Sequence, residues 1–168
     1  MVISKLFSEL FTEAVSEEIF RLVNFNISTM EFSFNEIELN ERNWVYGALD
    51  DSTFDDDDQE RLIKKTSFIK KYYCVDLYAI QKKESSFKNS IVHIFENTDK
   101  DWIEILSYRN QYTVWESIIF SHPPFDVFII KPWSVGYNLL VGGNDELVRS
   151  ICTSYGWWIN EKHPISPV

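Results

Sequence analysis

Phe125-Asp126-Val127-Phe128-Ile129-Ile130 is the run on which the fold turns. It is apolar on both faces apart from Asp126, the composition of a central strand, and Pro132 closes it. Working outward, Val135, Tyr137, Leu139 and Val141 alternate as a second strand that ends at Gly142-Gly143. Asn144 is then a helix N-cap, with Asp145 and Glu146 in the first turn and Leu147, Val148 and Ile151 facing inward; Gly156 is placed to stop that helix. Trp157-Trp158-Ile159 makes a last strand.

On the other side, residues 112–121 fit a buried helix or a strand, and the reading adopted is a helix ended by His122-Pro123-Pro124. Residues 72–81, 91–96 and 102–108 read as three strands of an antiparallel meander, with a polar turn over Lys82–Ser90. Residues 56–66 read as a short helix, because acids precede bases in the order its dipole favours. Met30, Phe32 and Phe34 alternate as a half-buried strand, and a phase change near Glu36 moves Ile37 and Leu39 onto the alternation, as at a bulge or a new strand. Ile3, Leu6, Phe7, Leu10, Phe11, Ala14, Val15, Ile19, Leu22 and Val23 recur at helical spacing and predict a long N-terminal helix. The expected class is α+β: that helix packed on a mainly antiparallel sheet with one or two further helices, residues 1–168 forming a single domain.

The 168 residues are 45% hydrophobic and 16% aromatic, enough buriable surface to fold without staples. Cys74 and Cys152 each lie in an apolar context that suits a buried thiol and a reducing, cytoplasmic compartment. Met1-Val2-Ile3-Ser4-Lys5 leads into Glu9 and Glu13, so no signal peptide is expected, and no apolar run is long enough for a membrane anchor.

Net charge is −10, and it is unevenly spread. Residues 1–60 hold 15 acids against Lys5, Arg21 and Arg42, whereas residues 61–88 hold eight bases against Asp76 and Glu84. Such a balance repels nucleic acid and anionic membrane and steers a cationic partner inward.

Asp50, Asp51, Asp55, Asp56, Asp57, Asp58 and Glu60 form an acidic run without a base. A calcium loop would need a glycine at its sixth position, and no glycine lies between Gly47 and Gly136, so no metal site is expected. His93, His122 and His163 lack the spacing of zinc ligands, and no phosphate-cradling or nucleophile-elbow motif supplies a cofactor or catalytic site. Neighbouring Trp157 and Trp158 point to opposite sides of a strand, which leaves at least one at a surface. Exposed aromatics beside acids have the composition of a protein-binding patch.

In overall profile the chain resembles bacterial immunity proteins, cytosolic inhibitors that neutralise a secreted toxin domain, often a cationic nuclease. The resemblance implies no enzymatic activity and a mechanism in which an acidic surface pairs with the basic residues of the toxin's active site. The expected partner-binding residues are Asp50, Asp51, Asp55, Asp56, Asp57, Asp58 and Glu60 with Trp157 and Trp158; Glu9, Glu13 and Glu17 form a second acidic face. Two other readings are an acidic nucleic-acid mimic, which the basic segment after residue 60 interrupts, and a small enzyme using His93 or His122 with a carboxylate.

Overall fold

Strands rich in Ile, Val and Phe need both faces covered, and the computed structural model describes how this is done for residues 1–50, 54–106, 116–122, 125–131 and 137–160. In chain order the elements are β1 (Ile3–Leu6), α1 (Phe7–Leu10), α2 (Glu13–Leu22), β2 (Val23–Asn26), β3 (Glu31–Phe34), α3 (Glu36–Glu41), β4 (Trp44–Asp50), α4 (Asp56–Lys65) and β5 (Lys71–Asp76). There follow α5 (Tyr78–Gln81), β6 (Ile91–Glu96), α6 (Asp99–Leu106), β7 (Ser117–Phe120), β8 (Val127–Lys131), β9 (Tyr137–Asn144), α7 (Asp145–Ile151) and β10 (Trp157–Ile159). Eight strands form one sheet in the order β1-β6-β5-β7-β8-β9-β4-β10, with every pairing antiparallel, and β2 and β3 form a separate hairpin.

The 125–130 run is central as its composition requires: Phe128 and Ile130 enter one core, and Val127 and Ile129 enter the other. The first core lies beneath α1, α2, α3, α5 and the β2–β3 hairpin. The second lies beneath α4, α6 and α7 and holds Tyr72, Cys74, Phe95, Trp102 and Cys152. Each fully buried large apolar side chain stabilises the fold by roughly 1.5–3 kcal/mol relative to exposure. Tight contacts set the spacing between layers. A Cβ on Gly142 of β9 would lie 2.6 Å from the Phe34 ring, and one on Gly47 of β4 would collide with the Cys152 sulfur.

Several local expectations are corrected. The long N-terminal helix is three elements: Ile3–Leu6 pair with β6 as an edge strand, the Glu9 carboxylate accepts from the Leu6 N–H at the start of α1, and the chain restarts at Thr12 as α2. Ile3 and Leu6 are exposed on that edge, so the helical periodicity there has no core to serve. Residues 36–41 are helical because the Asn35 side chain caps the backbone N–H groups of Ile37 and Glu38; Leu39 is buried and Ile37 is 73% exposed. Residues 99–106 are a helix in place of the third meander strand, with Trp102 and Ile105 inward and Thr98 Oγ1 accepting from the Asp101 N–H at 3.3 Å. Ser117–Phe120 is a strand, because its backbone is bonded on both sides by β5 and β8; residues 112–115 lie outside the described set. The α7 helix ends at Ile151, before Gly156, whose φ of 92° instead turns the chain into β10.

No helix among the described residues is long and apolar enough to cross a membrane.

Candidate functional site

The acidic run resolves into one internal carboxylate and a group of external ones. Asp55 caps α4: its side chain accepts from the Asp58 N–H at 2.9 Å, and the Asp55 N–H returns a bond to the Asp58 carboxylate at 3.3 Å. That reciprocal box turns Asp58 inward, where it is 2% exposed. Its Oδ1 accepts from the Ser154 hydroxyl, from Trp157 Nε1 at 3.1 Å and from the Arg61 guanidinium at 3.0 Å. Burial opposes ionisation, but these bonds outweigh it and hold the carboxyl below its ordinary value.

Asp55, Asp56, Asp57 and Glu60 face solvent. Gln59, buried beneath them, reaches the first residue of α6, its Nε2 lying 3.4 Å from an Asp99 carboxylate oxygen. The N-terminal turns of α4 and α6 therefore adjoin, and exposed Asp99 joins the four acids. Sequence reasoning missed Asp99 because the contact spans 40 residues. None of these five carboxylates makes an ion pair among the described residues. The bases of α4, Lys64 and Lys65, lie in its last turn and, with Arg61, line a surface pocket together with Asp57 and Glu60.

The other named residues are placed differently. Asp50 closes β4 opposite Tyr137, its side chain outside the described set, and Asp51 and His163 lie outside it entirely. Trp157 is half-buried and spent on Asp58, whereas Trp158 is 38% exposed on the opposite sheet face, edge-on to Tyr46 at 5.6 Å. The two tryptophans do point apart, but Trp158 and the α4 acids are on different faces. Glu9, Glu13 and Glu17 lie on α1 and α2, also across the sheet from α4; Glu9 accepts from the Leu6 N–H and Glu13 from the Ser86 hydroxyl. Nearby, Arg42 bridges Glu18 and Glu38 at 2.8 and 2.9 Å, so part of that second face is neutralised internally.

His122 packs between the rings of Phe11 and Phe125, and burial lowers its pKa against a small opposing pull from Glu18. His93 sits on β6 with Nδ1 2.9 Å from the Ser4 hydroxyl, and partial burial lowers its pKa too. It lines a cleft of about 1110 Å³ together with Asp76, Tyr78, Lys83, Lys88 and Glu116. Asp76 and Glu116 flank the backbone bond from Leu77 N–H to Glu116 O, 2.8 Å long. Desolvation by the cleft walls raises both carboxyls; the Tyr78 N–H partly opposes this at Asp76, and the Asp76 charge adds to it at Glu116.

Register relates the cleft to the α4 acids. Asp76 opposes Ser117, and Ser117 opposes Lys131. One position beyond the Ile130–Leu140 pair, Lys131 reaches the level of Leu139, which opposes Leu49, which opposes Trp157. The cleft, at β5, and the Trp157–Asp58 anchor, at the β10 edge, thus lie along one row across the sheet. Lys131 in mid-row is directed to the end of α6, donating to Leu106 O at 3.3 Å.

Among the described residues no three His, Cys, Asp or Glu side chains are grouped to hold a metal ion. Comparison with protein-family models, with curated proteins and with solved structures finds no match.

Proposed function

We propose that this chain is an immunity-type binding protein that neutralises a cationic protein domain, most simply a nuclease toxin, by covering its basic active site. The observation that carries the reading is the exposed set Asp55, Asp56, Asp57, Glu60 and Asp99, gathered where the N-terminal halves of α4 and α6 adjoin, none of which makes an ion pair among the described residues. Like charges held together on a rigid scaffold are costly for the isolated chain and favourable once a basic surface meets them. The helix dipoles moderate the repulsion while the site waits. The Asp58–Trp157 anchor fixes the α4 turn, so little ordering is left to oppose association.

The test is co-expression with the product of the gene immediately upstream. The expected result is that the neighbour is toxic alone, harmless with this chain, and recovered with it as a complex that high salt weakens. A neighbour that is harmless alone, or that stays toxic in the presence of this chain, contradicts the proposal.

A second reading, catalysis by His93, has one observation in its favour: His93 shares the cleft with Asp76 and Glu116. Protection of cells from the toxic neighbour by a His93→Gln variant, at the wild-type level, separates the binding reading from the catalytic one. Loss of protection by that variant in a folded chain favours catalysis.

A further inference from the structure

The cleft beside Asp76 has no role in the anchoring of α4, yet it lies along the same row of the sheet. Three carboxylates line it: Glu84 stands beside Lys83, whereas Asp76 comes from β5 and Glu116 from the chain entering β7, and the Leu77–Glu116 backbone bond holds these two as neighbours. Asp76 Oδ1 is engaged by the Tyr78 N–H at 2.8 Å; no described residue donates to its other oxygen or to the Glu116 carboxylate. Lys83 and Lys88 belong to the opposite wall, built by the 83–91 connection, and neither forms an ion pair with Asp76 or Glu116 among the described residues. The Tyr78 ring already accepts one cation, Lys82 Nζ at 5.2 Å, and is 51% exposed.

We infer that this cleft is the socket for an arginine side chain of the cationic partner, its guanidinium held between Asp76 and Glu116 and its plane set against Tyr78. Two adjacent carboxylates repel each other, and a planar cation with five donors in a fixed fork relieves both at once. A lysine ammonium, a point charge, would satisfy the pair less completely. The inference rests on the proposed function and adds to it: the α4 acids steer the partner, and the socket, farther along the same row, fixes its orientation.

The test needs only the free chain. Backbone amide shifts are followed in a titration with N-acetyl-arginine amide, with N-acetyl-citrulline amide as the neutral isostere. The expected result is a saturable response at Tyr78 and His93 to the arginine derivative alone, weakened at least about tenfold by Asp76→Asn and by Glu116→Gln. Equal responses to the two probes, no saturable response, or a response that survives both substitutions overturns the inference. Free L-arginine binding more than about tenfold tighter than the capped probe also overturns it, since the cleft would then be a site for the amino acid itself. A guanidinium response without capture of the upstream gene product contradicts the proposed function and leaves the socket standing. Capture without a guanidinium response removes only the socket.

Discussion

Trp157 donates its indole N–H to Asp58 at 3.1 Å, joining the last strand of the sheet to the first turn of α4 across 99 residues of chain. The same carboxylate oxygen takes Ser154 and Arg61, so one acid of the run is buried in order that its neighbours stand out. Asp58→Asn keeps the shape but loses the charge and one acceptor. It is expected to lower stability by about 2–4 kcal/mol in urea unfolding. The pH dependence follows from the depressed carboxyl: its contribution is full above the ordinary value of 3.8 and is lost as pH falls through the lower folded value. The variant should therefore show a shallower loss of stability below about pH 4 than the wild type. A wild-type acid limb in the variant would mean that other carboxylates dominate.

Neutralising the outward acids should do the reverse. Asp56→Asn, Asp57→Asn and Glu60→Gln together leave the Asp55–Asp58 capping box intact, and stability should change by no more than about 1 kcal/mol. Protection against the toxic neighbour should fall, with the loss located in the association rate. Circular dichroism melts beside binding kinetics separate the two effects.

The two thiols make a chemical probe of the second core. Burial pushes Cys74 up to about 12, with the Ser117 hydroxyl opposing, and Cys152 likewise up to about 12. Neither should react with a disulfide reagent at neutral pH until the chain unfolds. A raised folded value means that stability is complete below the ordinary thiol value of 9.0 and declines as pH rises toward 12. Buried Tyr72, also raised by desolvation, acts in the same sense. Urea midpoints at about pH 8 and pH 10.5 should differ, and less so in Cys74→Ala.

Gly142 lies against the Phe34 ring in the first core, where Phe34 also meets Phe128 and Tyr46. Gly142→Ala should cost about 1–3 kcal/mol, and Phe34→Leu in the same chain should recover part of it. Additive losses in the double variant would argue against direct contact.

The charge and the locally capped helices were more legible than the strand pairing and the site: β4 drew no reading, and the strand expected over 72–81 gives way to α5 at Tyr78. The 125–130 run, the Asn144 cap and the α4 polarity were legible because each depends on neighbours in sequence. Ile3–Leu6 was misread because pairing with β6, some 90 residues away, decides it, and an edge strand needs no apolar alternation of its own. Two helices did carry a local signal that apolar alternation masked: Asn35-x-x-Glu38 and Thr98-x-x-Asp101 both have the cap-and-acid spacing of a helix start. Asp58 could not be singled out from Asp55, Asp56 and Asp57 without knowing that Trp157 would arrive beside it. Asp76 and Glu116, 40 residues apart, meet only because β5 and β7 are neighbours in the sheet.

The most direct test of the central claim is the association rate between this chain and the upstream gene product, measured from about 0.05 to 0.5 M salt for the wild type and for the Asp56→Asn, Asp57→Asn, Glu60→Gln variant. The account predicts a wild-type rate that falls steeply as salt rises, and a variant that is slower at low salt and nearly flat. Identical rates and slopes for the two proteins would contradict it.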